Sequence, residues 1–108
     1  MTLTELSTRA LEIRAHYDRQ AVRQGGRPWT PAEFAQGFAG DVGDLNKLAM
    51  ARQGLRPADD LDARLAHELA DCLWCVLVLA DAYGINLEKS FTSTMDELER
   101  KVAGTPAP

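Results

Sequence analysis

The pattern of apolar and polar positions predicts a long helix over residues 64–83, with no Gly or Pro inside it. At about 100° per residue, the apolar side chains of this helix form one broad stripe. Every residue in 72–80 is apolar, so we expect this segment to be buried on several sides. The stripe extends one turn upstream and consists of Leu61, Leu65, Leu69, Cys72, Leu73, Val76, Leu79, Ala80 and Tyr83.

The same periodicity predicts three more helices. An amphipathic helix over residues 3–24 ends at a Gly-Gly pair, and a second helix covers residues 31–53. Thr30 and Glu33 form a capping box around a Pro at the first position of that second helix. Asn86 is expected to cap the last helix, which runs to about residue 102. No strand alternation or internal repeat interrupts this pattern.

These helices predict an all-α fold, a four-helix bundle in one domain. We expect the domain to cover residues 1–103 and residues 104–108 to form a disordered tail. A chain of 108 residues buries only ~60–70% of its unfolded surface, and 45% of its residues are apolar. A partner subunit is therefore expected to cover apolar helix faces, in a dimer or a dimer of dimers.

Charge and hydropathy exclude several classes of partner. The net charge of −4 argues against sequence-independent nucleic-acid binding, which needs a basic face. The acidic N-terminal segment lacks the features of a signal peptide. The longest apolar run is about half the ~18–20 residues that a membrane span requires. We therefore expect a cytoplasmic protein that binds neither nucleic acid nor membrane.

The two cysteines, Cys72 and Cys75, form a C-x-x-C motif. This motif can be a redox pair or half of a zinc site. Here it lies inside an apolar helix, without a second cysteine pair and without a strand-rich context. We favour the interpretation that both are small buried apolar residues.

Carboxylates at spacing i, i+3 occur on two helices. Glu68 and Asp71 directly precede the apolar segment, and Asp41 and Asp44 lie beside the apolar arc of the second helix. If these helices pack antiparallel, the four acids converge. Oxygen ligands alone suit Mg²⁺ or Mn²⁺, whereas a ferritin-like di-iron site would need Glu-x-x-His pairs. The alternative is that these are solvated acids on exposed helix surfaces.

Three glycines accompany the acids of the second helix: Gly37, Gly40 and Gly43. Each is expected to cost about 1 kcal/mol relative to Ala inside a helix. We expect a compensating close approach of another backbone or of a ligand.

The motifs G-D-V-G-D-L (residues 40–45), H-E-L-A-D-C-L (67–73) and A-Y-G-I-N-L-E (82–88) resemble those of MazG-like nucleotide pyrophosphohydrolases. This family belongs to the all-α NTP pyrophosphatase superfamily, whose motif is E-E-x-x-E followed by E-x-x-D. The resemblance covers about residues 29–100. It implies a Mg²⁺-dependent hydrolase, with Mn²⁺ as a possible substitute, that converts a nucleoside triphosphate to the monophosphate and pyrophosphate and forms dimers or tetramers.

By position, the resemblance implies that Asp41, Asp44, Glu68 and Asp71 are the metal ligands and the catalytic residues. Only the E-x-x-D half of the motif is matched in full. Gly40 stands where many members have Glu, although the branch that acts on pyrimidine nucleotides tolerates Gly there. The two Asp residues each replace a Glu. The Lys, Asn and Tyr that many members carry on the last helix correspond to Thr94, Leu98 and Val102.

Candidate substrate-binding residues are Trp29, Phe38 and Trp74, which could stack on a base, and Lys47, which could contact phosphate. Lys89, Arg100 and Lys101 are further candidates for the missing phosphate contacts. The alternatives are core packing for the three aromatic residues and an ion pair with Asp44 for Lys47. His67 is expected to pair with Asp71 or Asp60. The sequence thus predicts a nucleotide pyrophosphohydrolase, with a non-catalytic helical dimer that binds metal or nucleotide as the alternative.

Overall fold

The computed structural model describes residues 1–54 and 60–104, and within these ranges it contains four helices and no strand. The helices are α1 (Leu3–Arg23), α2 (Pro31–Arg52), α3 (Leu61–Ala82) and α4 (Leu87–Gly104). The all-α prediction is confirmed. Residues 54–57, where a Gly and a Pro favour a turn, lie mostly outside the described residues, as does the predicted tail apart from Gly104, the last residue of α4.

Local chemistry sets the helix ends largely as the sequence predicts. Thr30 accepts a hydrogen bond from the Glu33 amide, and the Glu33 side chain accepts one from the Thr30 amide, which completes the capping box of α2. Asn86 caps α4 by accepting from the Lys89 amide at 3.1 Å. Gly84 follows α3 with a φ of 66°, a left-handed conformation that a residue without Cβ adopts at little cost.

Three acids, Asp59, Asp60 and Asp62, stand at the start of α3, where the sequence allows one of them to cap the helix. Asp60 occupies the cap position, but its backbone is left-handed and its side chain accepts no capping hydrogen bond. Asp62 in the first turn forms an ion pair with Arg52 at 3.0 Å instead. That contact joins the end of α2 to the beginning of α3. Asp59, the other candidate cap, lies outside the described residues.

Helices α2 and α3 pack antiparallel and provide most of the interhelical packing. The direction follows from two contacts, because Asp41 meets Cys75 whereas Arg52, later in α2, meets Asp62, earlier in α3. Helix α1 packs against α3, and the Trp74 indole donates a hydrogen bond to the Ala10 carbonyl at 3.0 Å. The buried core is small and consists of Ala10, Phe34, Leu48, Ala51, Cys75, Leu77 and Val78.

Helix α4 extends away from the packed body of α1–α3. Leu87 is the only half-buried residue of α4, and the rest of the helix is exposed. The radius of gyration is 17.5 Å, compared with about 13 Å for a compact domain of this size. One chain therefore forms a three-helix body with a projecting fourth helix. No helix in the described ranges has the length and apolar character to cross a membrane.

Candidate metal centre and adjoining aromatic cavity

Three of the four predicted carboxylates converge between α2 and α3. Asp41 and Asp44 lie one turn apart on α2, and Glu68 lies opposite them on α3. One carboxylate oxygen from each residue lies within 4.8 Å of the others. The antiparallel packing of the two helices produces this group, as the i, i+3 spacing predicts.

The fourth carboxylate, Asp71, lies beside this group but is not part of it. Its Oδ2 lies 3.1 Å from Nε2 of His67, one turn earlier on α3. Of the two partners expected for His67, Asp71 and Asp60, the structure shows Asp71. Asp71 is also close enough to Glu68 to raise the pKa of that carboxyl.

Glu68 is the member of the group whose carboxyl has a raised pKa and a buried oxygen. Burial is the main cause that raises its pKa, and the charges of Asp41, Asp44 and Asp71 raise it further. Its Oε2 atom is buried and has no hydrogen-bond partner. Across the described ranges, no Lys, Arg or His forms an ion pair with Asp41, Asp44 or Glu68.

A hard divalent cation fits this donor set. A buried carboxylate oxygen without a partner is unfavourable unless a cation or a proton satisfies it. Three carboxylates without nitrogen or thiolate ligands are the donors that Mg²⁺ and Mn²⁺ prefer. The orphaned oxygen of Glu68 thus argues for a cation at this position more directly than the acidity of the group does.

The two cysteines are free thiols, and neither is poised for redox or zinc chemistry. Burial is the main cause that raises the pKa of Cys75, to about 11, and the charge of Asp41 adds to it. Burial and the neighbouring acids also raise the pKa of Cys72. Reactive and metal-binding cysteines have lowered pKa values, so these raised values argue against redox or zinc chemistry at either thiol. Cys75 is buried as predicted, and Cys72 is half-buried.

An aromatic cavity of about 320 Å³ lies between α1, the segment before α2, the beginning of α2 and Trp74 of α3. Phe34 stands at its base, in edge contact with Trp29 and Trp74, with 5.5 Å between ring centroids in each pair. Tyr17 packs against Trp74 with centroids 5.9 Å apart. The full lining consists of Tyr17, Asp18, Gln20, Ala21, Gln24, Pro28, Trp29, Phe34 and Trp74.

Trp29 explains one of the three unusual glycines. A Cβ at Gly37 would lie 3.1 Å from the Cζ3 atom of Trp29, so the ring packs where a side chain would otherwise be. The predicted close approach therefore occurs at Gly37, with an indole ring in place of a backbone. A Cβ at Gly40 or Gly43 would meet no described atom within 4 Å.

The remaining predicted substrate-binding residues do not join these sites. Phe38 is half-buried and does not line the aromatic cavity. Lys47 is exposed, and the ion pair with Asp44 that its spacing allows is not formed. The candidates on α4 (Lys89, Thr94, Leu98, Arg100, Lys101 and Val102) are all exposed on the projecting helix.

Tyr17 and Phe34 are the aromatic residues of the cavity that the sequence did not single out as candidates for the site. By helical periodicity, Phe34 lies on the apolar arc of α2 and Tyr17 on the apolar face of α1. The available signal was the position of each aromatic residue on an apolar face. Local periodicity does not indicate which helix such a face packs against, so it could not predict the contact between Tyr17 and Trp74.

No protein-family model, no curated protein and no solved structure matches this chain. The resemblance to the MazG-like family therefore rests on the motif residues alone. The function is argued below from the acidic group, the aromatic cavity and the exposed apolar surfaces.

Proposed function

We propose that this chain is a nucleotide pyrophosphohydrolase that depends on a divalent cation. The observation that carries this proposal is the convergence of Asp41, Asp44 and Glu68, in which Glu68 has a buried carboxylate oxygen without a hydrogen-bond partner. Such a group favours Mg²⁺ or Mn²⁺, and these cations commonly bind phosphate groups in nucleotide-hydrolysing enzymes. The motif resemblance supports the same activity.

Asp41, Asp44 and Glu68 would hold the cation. When bound, it would supply Lewis acidity toward phosphate oxygens and help to lower the pKa of a water molecule. The predicted reaction is attack of water on the α-phosphorus, with cleavage of the bond to the oxygen that bridges the α and β phosphates. The products are a nucleoside monophosphate and pyrophosphate.

Asp71 is the carboxylate that we assign to proton transfer. It was predicted as a fourth ligand, but it stands outside the converging group, and its Oδ2 lies 3.1 Å from Nε2 of His67. A carboxylate that is oriented by a second side chain and is not engaged by a cation is suited to accept a proton from water. His67 would hold the orientation of Asp71 during this step.

The aromatic cavity would bind the base. Phe34 at its base precedes Asp41 by seven residues on α2, so the two residues lie on one face of the helix, about 10.5 Å apart along its axis. This separation is comparable to the distance from the base to the phosphate chain in an extended nucleotide. Trp29 is 52% exposed and offers a free ring surface for stacking.

We also propose that the chain functions as a homo-oligomer. Exposed apolar residues on α4 follow the 4-3-4 spacing of a helix-pairing stripe: Phe91, Met95, Leu98 and Val102. Part of the predicted α3 stripe is exposed too, notably Leu69, Leu73 and Tyr83. Surfaces of this kind mark protein–protein contacts, and a second copy of the chain presents the same stripes.

The alternative function is a metal- or nucleotide-binding module without catalytic activity. The observation in its favour is that, within the described part of the chain, no basic side chain forms an ion pair with the acidic group, where it could contact a phosphate. In addition, the α4 positions aligned with the family's Lys and Asn hold Thr94 and Leu98. A second subunit would have to supply the phosphate contacts if the enzyme is active.

A screen for pyrophosphate release over ribo- and deoxyribonucleoside triphosphates, with Mg²⁺ or Mn²⁺, tests the proposal. We expect turnover of at least one nucleotide, with the cation required and pyrophosphate as the released product. Release of orthophosphate would contradict attack at the α-phosphorus. Nucleotide and cation binding without any turnover would support the non-catalytic module.

A further inference from the structure

Cys75 contacts the acidic group from the buried side of α3. Its side chain is almost fully buried, with 4% exposure, and its Sγ lies 3.7 Å from Oδ2 of Asp41. Asp41 accepts no other side-chain hydrogen bond within the described ranges. A protonated thiol donates here and the carboxylate accepts, although a thiol is a weaker donor than a hydroxyl.

The placement of Cys75 follows from the geometry of α3. Cys75 comes seven residues after Glu68, which is two turns, so both side chains lie on the face toward α2. Glu68 contributes an oxygen to the acidic group, and Cys75 hydrogen-bonds the carboxylate that α2 contributes to it. One face of α3 therefore provides both a proposed ligand and a contact to another proposed ligand.

Asp41 needs such a contact because its own conformational preferences do not fix its carboxylate plane. The terminal torsion of Asp has a broad energy minimum, so either oxygen can turn toward the site. Repulsion from Asp44 and Glu68 would turn the group away when no cation is bound. A neutral donor on one oxygen holds the plane and leaves the other oxygen directed to the cation.

We propose that Cys75 is a positioning residue for the divalent-cation site, acting through its hydrogen bond to Oδ2 of Asp41. This inference rests on the proposed cation site and adds a residue whose type would otherwise be explained by packing alone. Residues that orient metal ligands typically change metal affinity by about 10–100-fold when they are removed. The lower end of that range is expected here because the donor is a thiol.

The test measures Mn²⁺ affinity of the nucleotide-free protein by electron paramagnetic resonance titration. Cys75→Ala removes the donor, whereas Cys75→Ser removes about the same volume and keeps a donor. Cys72→Ala is the matched control, because Cys72 lies one turn away on α3 and makes no hydrogen bond to the acids in the described structure. We expect Cys75→Ala to weaken Mn²⁺ binding about 10-fold. Cys75→Ser should recover most of this loss, and Cys72→Ala should bind like wild type.

Two outcomes overturn the proposal, one in the Mn²⁺ titration and one in the absorption spectrum of the Co²⁺-loaded protein. One is equal Mn²⁺ affinity for Cys75→Ala and Cys72→Ala, because this would show that the thiol does not act on the site. The other is a sulfur-to-metal charge-transfer band in the Co²⁺-loaded protein that disappears in Cys75→Ser, because this would make Cys75 a ligand.

Failure of the cation site itself is distinguishable. A wild-type protein without measurable Mn²⁺ affinity would overturn the site and the role of Cys75 toward it together. The infrared S–H stretch of the metal-free protein then reports the hydrogen bond separately. We expect a band at lower frequency for Cys75 than for Cys72, with the shift lost in Asp41→Ala, and an unshifted Cys75 band would overturn the hydrogen bond itself.

Discussion

Two faces of α3 differ in burial, and the difference is the reverse of what their polarity predicts. The face toward α2 carries Glu68 and Asp71, yet α2 covers it, and Cys75 and Val78 on that face are buried. The neighbouring face carries the broad apolar stripe, yet three of its large residues stay exposed: Leu69 at 55%, Leu73 at 43% and Tyr83 at 60%.

This difference separates the face of α3 that a single chain covers from the face that it leaves exposed. A chain that optimised only its own stability would bury the apolar stripe and expose the acids. Partial burial of Asp41 and Glu68 beside a third carboxylate is a cost in stability that is typical of functional sites. We infer that the covered face performs chemistry and that the uncovered face mediates assembly. The predictions below test this separation, beginning with the largest expected effect.

Substitution of a proposed ligand should abolish the chemistry without disturbing the assembly. Glu68→Gln keeps the shape of the side chain but removes the charge that holds the cation. Loss of a residue that only supports a ligand costs about 10–100-fold, so loss of a ligand should lower pyrophosphate release by more than ~100-fold. Rates from a coupled pyrophosphate assay, with light scattering to confirm an unchanged oligomer, test this expectation. An active Glu68→Gln protein would remove Glu68 from the site.

Asp71→Asn should separate proton transfer from cation binding. Because Asp71 stands outside the converging group, we expect kcat to fall about 100-fold, the lower range for loss of a general base. Stabilisation by Mg²⁺ in thermal melts should persist. Without the cation, the variant should be at least as stable as wild type, since one repelling charge is gone and the exposed pair with His67 contributes little.

The opposite result for Asp71→Asn is equally informative. Loss of the Mg²⁺ response would return Asp71 to the ligand set that the family resemblance implies. Asp44→Asn, measured in parallel, should lose this response and serves as the matched comparison. Equal Mg²⁺ responses in the two variants would contradict the division of roles proposed for them.

Charges on the uncovered face of α3 should dissociate the oligomer and leave the acidic group intact. The double variant Leu69→Glu/Leu73→Glu places two carboxylates in the proposed interface. Each Leu contributes about 1.5–3 kcal/mol when it is fully buried, so the subunit affinity should fall by more than ~100-fold. Light scattering should report a mass of at least twice 11.9 kDa for wild type and about 11.9 kDa for the variant.

A matched control for this change lies on the same helix. Ala70 is exposed and lies outside the stripe, so Ala70→Glu adds charge to α3 without entering the proposed interface. It should leave the mass unchanged. A wild-type chain that is a stable, well-folded monomer would contradict the assembly hypothesis outright.

The sequence predicted the helices and the identity of the acids better than it predicted which faces are covered. Helix ends with strong local signals, such as the capping box at Thr30, occur where they were expected, because those signals involve residues only three positions apart. The convergence of Asp41, Asp44 and Glu68 was predictable because i, i+3 spacing puts acids on one face of each helix and antiparallel packing brings the two faces together, although this argument also included Asp71.

Other features depend on long-range packing that local patterns do not encode. The acids at the start of α3 allowed a cap, but Asp60 at the cap position has a left-handed backbone and its side chain makes no capping hydrogen bond. Asp71 could not be separated from the other three acids by spacing, because it shares the i, i+3 spacing of the group and only the packing of α2 on α3 decides which acids meet. The apolar periodicity of α3 indicates a face to be buried, but it does not state whether this chain or a second copy covers it.

The smallest predicted effect concerns the pH dependence of stability in the metal-free protein. Burial and neighbouring acids raise the folded-state pKa of Glu68 above its ordinary value of 4.5. Between these two values the folded state binds more protons than the unfolded state, so stability decreases as pH rises. The stabilisation is fully present below pH 4.5 and is lost once the pH exceeds the folded-state pKa.

The difference between wild type and Glu68→Gln isolates this contribution. Other acids, such as Glu33, whose pKa is lowered to about 2 mainly by its hydrogen bond with Arg27, titrate equally in both proteins and cancel. Urea unfolding of the metal-free proteins across the acidic range should show wild type losing stability relative to Glu68→Gln as pH rises. Excess Mn²⁺ should reverse the slope for wild type alone, because the cation competes with the proton for Glu68. A parallel pH dependence in the two proteins would mean that Glu68 is solvated. This result would contradict a cation site on the covered face of α3.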